Sequence, residues 1–170
     1  MRNLILTLTM AVAMVASAAD NTDPKPMQFL AGEFNLDLYG TANIRNESRS
    51  KDDLHFGAGL GANYWITRGL GIGLRGESED THHSFVDRAL ARVSVRAPLW
   101  DTVAPYGYGE GGYDTERHNG VFGAGGGLEW RPGPVLNGRL GLYVEAGLQV
   151  DHHGNGSMRG AAGIRLPFSF

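Results

Sequence analysis

The chain has 170 residues, 26 of them glycine, and a formal net charge of −3. Its length fits one domain, and its near-neutral charge gives no basic stripe of the kind that nucleic-acid binding requires, so we expect no nucleic-acid partner. Because the chain contains no cysteine, disulfide frameworks, thiol catalysis and cysteine-ligated zinc are excluded.

Residues 1–19 are predicted to be a cleaved secretory signal peptide. Arg2 supplies a positive start, an apolar stretch runs from Leu4 to Ala16, and small residues at positions 16–19 suit a signal peptidase. The apolar stretch is too short to cross a membrane as a helix. Residues 20–33 follow as a polar periplasmic lead-in. An exported chain without disulfides is typical of a bacterial envelope.

Eight segments of alternating apolar and polar residues follow the lead-in. They predict strands over residues 34–45, 54–66, 70–80, 85–98, 103–114, 120–131, 139–151 and 157–170. Each is about as long as the ~9–11 residues that a tilted strand needs to cross a bilayer, and bacterial membrane barrels have an even number of strands. The predicted fold class is therefore all-β, an eight-stranded antiparallel up-and-down transmembrane β-barrel over residues 34–170.

Alternation alone does not say which face points outward, because a soluble lipocalin-like barrel would bury its apolar face. On the apolar faces, however, aromatic residues lie near both strand ends, where the two membrane interfaces would be. One predicted belt contains Phe34, Tyr64, Trp130, Phe168 and Phe170, and the other contains Phe56, Phe85, Tyr113 and Phe122. Twelve glycines fall on the polar faces, where a narrow lumen needs room for larger side chains. These features predict a polar lumen and an apolar exterior.

Opposite charges across the hairpins predict ion pairs within that lumen, because a desolvated charge needs a partner. The predicted luminal pairs are Arg88 with Asp114, Arg92 with Glu110, Glu129 with Arg139, Glu145 with Arg165 and Asp151 with Arg159. Strand four fits the alternation less well. It places Asp87 on the lipid face, and Val86 and Leu90 on the lumen face, which either a β-bulge or a misplaced strand boundary would explain.

The signal peptide, the eight strands and the ending from Gly163 to the terminal Phe170 resemble small Gram-negative outer-membrane β-barrels of the OmpA/OmpX-like type. The resemblance implies an outer-membrane location with both termini in the periplasm. It also implies outer-membrane lipid and lipopolysaccharide as surroundings, and recognition by the barrel-assembly machinery during biogenesis. A monomer is expected. The predicted loops, none longer than about eight residues, are shorter than those of adhesive members.

Motifs that carry chemistry are few, and we predict no catalytic residue, no cofactor and no enzymatic activity. Gly71 to Gly76 matches the spacing GxGxxG, but no helix follows to hold a phosphate. Five histidines in predicted outward loops are candidate metal ligands, since neutral imidazoles at one rim would bind Zn, Ni or Cu. They are His82, His83, His118, His152 and His153.

Two rival functions remain open from the sequence. A lipid A-modifying hydrolase or acyltransferase would need a serine, a histidine and an acid at the outer rim. The candidates are Ser50 with His55 and Asp52 or Asp53, or Ser157 with His153 and Asp151. A soluble periplasmic lipocalin-like ligand binder is the second rival. The favoured prediction is a non-enzymatic outer-membrane barrel with a plugged polar lumen, structural or envelope-associated, whose short loops would bind surface partners.

Overall fold

The computed structural model describes residues 29–45, 53–79, 87–99, 102–115, 118–132 and 140–168. Within them the chain forms eight strands: β1 (Glu33–Arg45), β2 (Asp53–Trp65), β3 (Leu70–Glu79), β4 (Arg88–Arg96), β5 (Val103–Asp114), β6 (Asn119–Trp130), β7 (Gly141–Asp151) and β8 (Gly156–Phe168). Each pairs antiparallel with the next, and β1 pairs with β8 to close the barrel. The predicted fold class is confirmed.

No helix among the described residues is long and apolar enough to cross a membrane. The predicted signal peptide and most of the lead-in lie outside the described residues, as do Phe85 and Phe170. We call the end of the barrel where β1 begins and β8 ends the terminal end, and the opposite end the distal end.

The alternation of side chains is that of a barrel with a polar interior and an apolar exterior. In β7, Tyr143 and Glu145 are buried, whereas Val144 and Leu148 are 56 % and 61 % exposed. Exposed aromatic residues stand near both ends, with Tyr64 and Trp130 at the terminal end and Phe56, Tyr113 and Phe122 at the distal end. At the seam, the rings of Phe34 and Phe168 have centroids 6.4 Å apart. The prediction that the polar faces of the strands point inward and the apolar faces outward is confirmed.

Glycines on the inner face make room for luminal tyrosines. A Cβ at Gly147 would lie 2.5 Å from the Tyr108 hydroxyl, and one at Gly127 would lie 2.7 Å from the Tyr106 hydroxyl. Contacts this short require something to shift, because a packed interior has little free volume. By contrast, a Cβ at the outward-facing Gly109 would meet nothing within 4 Å.

The expectation that Asp87 faces lipid is wrong. Asp87 precedes β4 and is 3 % exposed, and its carboxylate accepts a hydrogen bond from the Glu79 backbone N–H at 2.8 Å. Its own N–H donates to the carbonyl of Glu77, the residue that also pairs with Arg88. Two residues therefore face one, which is the β-bulge that the sequence pattern suggested. Leu90 lies on the lumen side and is 2 % exposed, as expected.

Candidate functional site

Charged side chains fill the inner face of the barrel along its length. Among the described residues, seven arginines and nine carboxylates are buried: Arg75, Arg88, Arg92, Arg96, Arg131, Arg159 and Arg165, with Glu33, Asp37, Glu77, Glu79, Asp87, Glu110, Asp114, Glu129 and Glu145. Each of these arginines lies within salt-bridge distance of at least one carboxylate. Such pairing is what an ion removed from water requires, because an unpaired buried charge is strongly destabilising.

Glu145 of β7 is the centre of the network. Its carboxylate accepts hydrogen bonds from Arg75 at 2.5 and 3.2 Å, from Arg92 at 2.9 and 3.1 Å, and from Arg159 at 2.9 Å. The Tyr106 hydroxyl donates a further bond at 3.0 Å. Arg75 and Arg92 belong to β3 and β4, which are not neighbours of β7, so these bonds cross the lumen.

Tyrosine rings pack against the central guanidinium groups. The guanidinium carbon of Arg92 is 3.6 Å from the centroid of the Tyr108 ring, and that of Arg75 is 4.6 Å from the Tyr39 ring. The ring faces attract the cations and also exclude water from the ion pairs. The centre of the lumen therefore combines short ion pairs with aromatic packing.

On the distal side, Arg88 of β4 contacts carboxylates on both neighbouring strands, β3 and β5. It donates to Glu79 at 2.9 Å and to Asp114 at 3.4 Å, and lies 3.7 Å from Glu77. Arg159 of β8 pairs with Glu77 as well as with Glu145. The distal and central ion pairs therefore form one connected network.

On the terminal side there are two further clusters of ion pairs, one around Arg165 and one around Glu33. Arg165 donates to both carboxylate oxygens of Asp37, at 2.7 and 2.8 Å, and to Glu129 at 2.6 Å. Glu33 accepts two hydrogen bonds from Arg131, at 2.7 and 2.6 Å, and one from Arg96 at 3.0 Å. Arg131 follows β6, and although burial alone lowers its pKa, the carboxylates of Glu129 and Glu33 raise that pKa above its ordinary value.

Two of the predicted luminal pairs are present. Arg88 stands opposite Asp114 and Arg92 opposite Glu110, in the register expected for β4 and β5. Their closest nitrogen-to-oxygen distances are 3.4 and 2.6 Å.

The registers expected for the last three strands are wrong. Glu129 stands opposite Tyr143 rather than Arg139, which lies outside the described residues. Arg165 stands opposite Gly141, and Arg159 opposite Gly147, each four residues from the expected register. A shift of four residues keeps every side chain on its own face, so alternation does not detect it.

Asp151 has a local role instead of the predicted pairing with Arg159. Its carboxylate accepts hydrogen bonds from the backbone N–H groups of His153 and Asn155, each at 2.9 Å, and from the Asn155 side chain at 2.9 Å. These bonds stabilise the turn between β7 and β8. The cross-lumen bonds of Arg75 to Glu145 were not predicted, because opposed positions in hairpins do not reveal contacts between non-adjacent strands.

The rival sites are only partly covered by the described residues. Ser50, Asp52, His82 and His83 lie outside them. The carboxylate of Asp151 accepts a hydrogen bond from the backbone N–H of His153 at 2.9 Å. Within the described ranges, no group of three or more histidine and acidic side chains is arranged to hold a metal ion. His118, His152 and His153 are exposed there, and metal binding stays a prediction.

An apolar exterior, a charged interior and eight closed antiparallel strands define a transmembrane β-barrel. No family model and no curated protein matches the chain. Among solved structures it is similar to a de novo designed transmembrane β-barrel, with a TM-score of 0.58 and 18 % identity over 84 % of this chain and 100 % of that one.

The chain is also similar to Ail, the attachment invasion locus protein of Yersinia pestis. That match has a TM-score of 0.50 and 16 % identity, over 82 % of this chain and 100 % of Ail. The outer-membrane protein OprG of Pseudomonas aeruginosa matches with a TM-score of 0.44 and 10 % identity, over 83 % of this chain and 98 % of OprG. The superpositions on the designed barrel and on Ail show a shared fold, and identities this low show no shared activity. The resemblance to small outer-membrane β-barrels is confirmed at the level of fold.

Proposed function

We propose that this protein is a non-enzymatic, integral outer-membrane β-barrel whose lumen is plugged by its own ion pairs and whose role is structural in the envelope. The observation that carries this proposal is the arrangement of buried arginines. Each is paired with a carboxylate, and several of the pairs cross the lumen between strands that are not neighbours.

The outward face supports insertion into lipid. Leu74 is 68 % exposed and Phe122 is 65 % exposed, and comparable aliphatic side chains surround the barrel. A soluble protein rarely exposes a continuous apolar surface of this extent. An apolar ligand cavity of the lipocalin kind also conflicts with an interior lined by Glu145, Arg75 and Arg92.

The width of the barrel supports a closed lumen. An eight-stranded barrel has an interior just wide enough for side chains, whereas open water channels are formed by about 16–18 strands. The bonds from Arg75 and Arg92 to Glu145 span this interior at its centre. We therefore propose that ions do not pass through the wild-type barrel at a steady rate.

Export and location complete the proposal. The predicted signal peptide would direct the chain to the periplasm, and the barrel-assembly machinery would insert it among lipids and lipopolysaccharide. Similarity of fold to outer-membrane barrels supports this location. Binding of surface partners through the short loops stays a prediction.

Fractionation and gel migration test the membrane assignment. We expect the protein in the outer-membrane fraction, resistant to salt extraction, with a folded band that changes its migration after heating. A monomer that stays folded in detergent-free buffer would refute the assignment.

An unchanged lipid A mass spectrum on expression is the expected result for a barrel without enzymatic activity. If expression changes the number of acyl chains on lipid A, and Ser50→Ala or Ser157→Ala abolishes that change, the rival lipid A-modifying enzyme is established.

Planar-bilayer recording tests the closed lumen. We expect no steady conductance from the wild-type protein, and openings from the double variant Arg75→Ala with Glu145→Ala, which removes the central pair together with its charges. The outward-facing variant Leu74→Ala is the matched control and should conduct no more than wild type. Large, steady openings of the wild-type barrel would contradict the plugged lumen.

A further inference from the structure

The residues just before β1 occupy the terminal mouth of the barrel. Phe29 is 1 % exposed although it belongs to no strand, whereas the adjacent Leu30 is 38 % exposed. Gly32 has a φ of +78°, a left-handed conformation that glycine adopts without strain, and its N–H donates to the Trp65 carbonyl at 2.7 Å. The chain thus folds back over the opening before it enters β1.

Guanidinium groups from separate parts of the barrel hold this segment in place. The guanidinium carbons of Arg131 and Arg96 lie 4.2 and 5.0 Å from the centroid of the Phe29 ring. Arg68, in the turn between β2 and β3, donates to the Phe29 carbonyl at 3.2 Å, and Arg96 donates to the Leu30 carbonyl at 3.0 Å. The segment is therefore fastened mainly by side chains, which can release it without breaking a strand ladder.

Buried polar atoms without hydrogen-bond partners among the described residues lie between this segment and the central network. Asn35 is fully buried, and neither its side-chain oxygen nor its side-chain nitrogen has a hydrogen-bond partner among the described residues; the same holds for the Trp65 indole nitrogen. Buried polar atoms of this kind are normally satisfied by internal water. On β1, Asn35 follows Glu33 and precedes Asp37, whose carboxylate belongs to the Arg165 group. Asn35 therefore lies between the terminal mouth and the centre of the lumen.

We infer that residues 29–32 form a releasable stopper, with Phe29 as its core, that seals a hydrated chamber at the terminal mouth. This inference rests on the proposed closed lumen and adds a second barrier to it. The lumen then has two barriers in series: the stopper at the mouth and the Glu145 network at the centre. Displacing the first should expose the chamber but leave the distal half of the lumen closed.

Single-cysteine labelling tests the stopper, because the natural chain has no cysteine to interfere. Asn35→Cys reports on the chamber, and Thr41→Cys reports on the distal side of the centre. The native Thr41 hydroxyl is also buried, with no hydrogen-bond partner in the described part of the chain. Both are labelled in detergent micelles with a negatively charged methanethiosulfonate, with and without Phe29→Ala. Leu30→Ala is the matched control within the segment, and heat-dependent gel migration verifies folding of every variant.

We expect Asn35→Cys to react slowly in the otherwise native chain and at least about tenfold faster with Phe29→Ala, because local opening governs the reactivity of a buried group. Thr41→Cys should react at the same rate in both backgrounds, and Leu30→Ala should change neither rate. If Phe29→Ala does not fold, Arg68→Ala replaces it, since the exposed Arg68 side chain donates to the Phe29 carbonyl.

Other outcomes overturn the inference in distinguishable ways. If Asn35→Cys stays slow in a folded Phe29→Ala barrel, the stopper is refuted while the closed lumen stands. If both cysteines already react fast in the otherwise native chain, the closed lumen itself is refuted. If Phe29→Ala accelerates both cysteines equally, the segment supports the whole barrel and is not a separate barrier.

Discussion

We expect Glu145→Gln to destabilise the folded barrel by about 3–5 kcal/mol, the usual cost of breaking a buried ion pair by removing one partner. Glu145 accepts hydrogen bonds from three arginines and a tyrosine, and all of these side chains are buried. The three arginines differ in the carboxylates that remain near them after this substitution. Arg92 keeps Glu110 at 2.6 Å, whereas the carboxylate left to Arg75 among the described residues is Asp37, at 3.7 Å.

Urea unfolding in detergent micelles, followed by tryptophan fluorescence and by gel migration, measures this cost. With a slope of about 2 kcal/mol per molar urea, the expected loss lowers the unfolding midpoint by about 2 M. Glu110→Gln is the matched control, because Arg92 then keeps Glu145 and the loss is limited to hydrogen bonds with a charged group, about 1.5–3 kcal/mol.

A second variant identifies the cause. Adding Arg75→Gln to Glu145→Gln should restore part of the lost stability, because the charge left without a close partner is then removed as well. Equal midpoints for Glu145→Gln and Glu110→Gln, or a double variant no more stable than Glu145→Gln alone, would refute the reasoning that Arg75 carries the cost.

Two further predictions concern glycines and the lipid face. Gly147→Ala should lower stability by about 1–3 kcal/mol, the usual cost of overpacking, because its Cβ would collide with the Tyr108 hydroxyl; Gly109→Ala, with open space around it, should not. Denaturant unfolding of both variants measures the difference, and equal effects would contradict the steric explanation. Leu74→Arg, near the middle of the outward face of β3, should cost about 2–4 kcal/mol in a bilayer, whereas Phe122→Arg near the distal end should cost about 0–1 kcal/mol. Reversible unfolding in lipid vesicles compares them, and a cost independent of depth would argue against the proposed membrane position.

The strands and their faces were predictable because both depend on local chemistry. A period of two along each segment places Tyr143 and Glu145 on one face and Val144 on the other, whatever the partner strand is. Charge alternation predicted the β4 to β5 register correctly, since Arg88 and Arg92 directly oppose Asp114 and Glu110. The irregularity at Asp87 also marked the position of a real bulge.

The registers of the later hairpins were not predictable from opposed charges. Arg165 stands opposite Gly141 on β7 but opposite Asp37 on β1, which it binds across the closing seam, and its long side chain also reaches Glu129 on β6. A register chosen to bring Arg165 opposite Glu145 therefore satisfied a contact that the barrel does not make. A four-residue slip leaves the faces unchanged, so the pattern carried no signal against it.

From the sequence alone follow the number of strands, their approximate limits and the polarity of each face, because these depend on neighbours along the chain. Tertiary structure decides which charges meet, that Glu145 joins three arginines at the centre, and that Phe29 lies in the terminal mouth. Those contacts depend on closure, which sets β3 and β4 across the lumen from β7 and brings Arg96 and Arg131 to the same opening. The distances between these side chains are therefore fixed only once the ring of strands is closed.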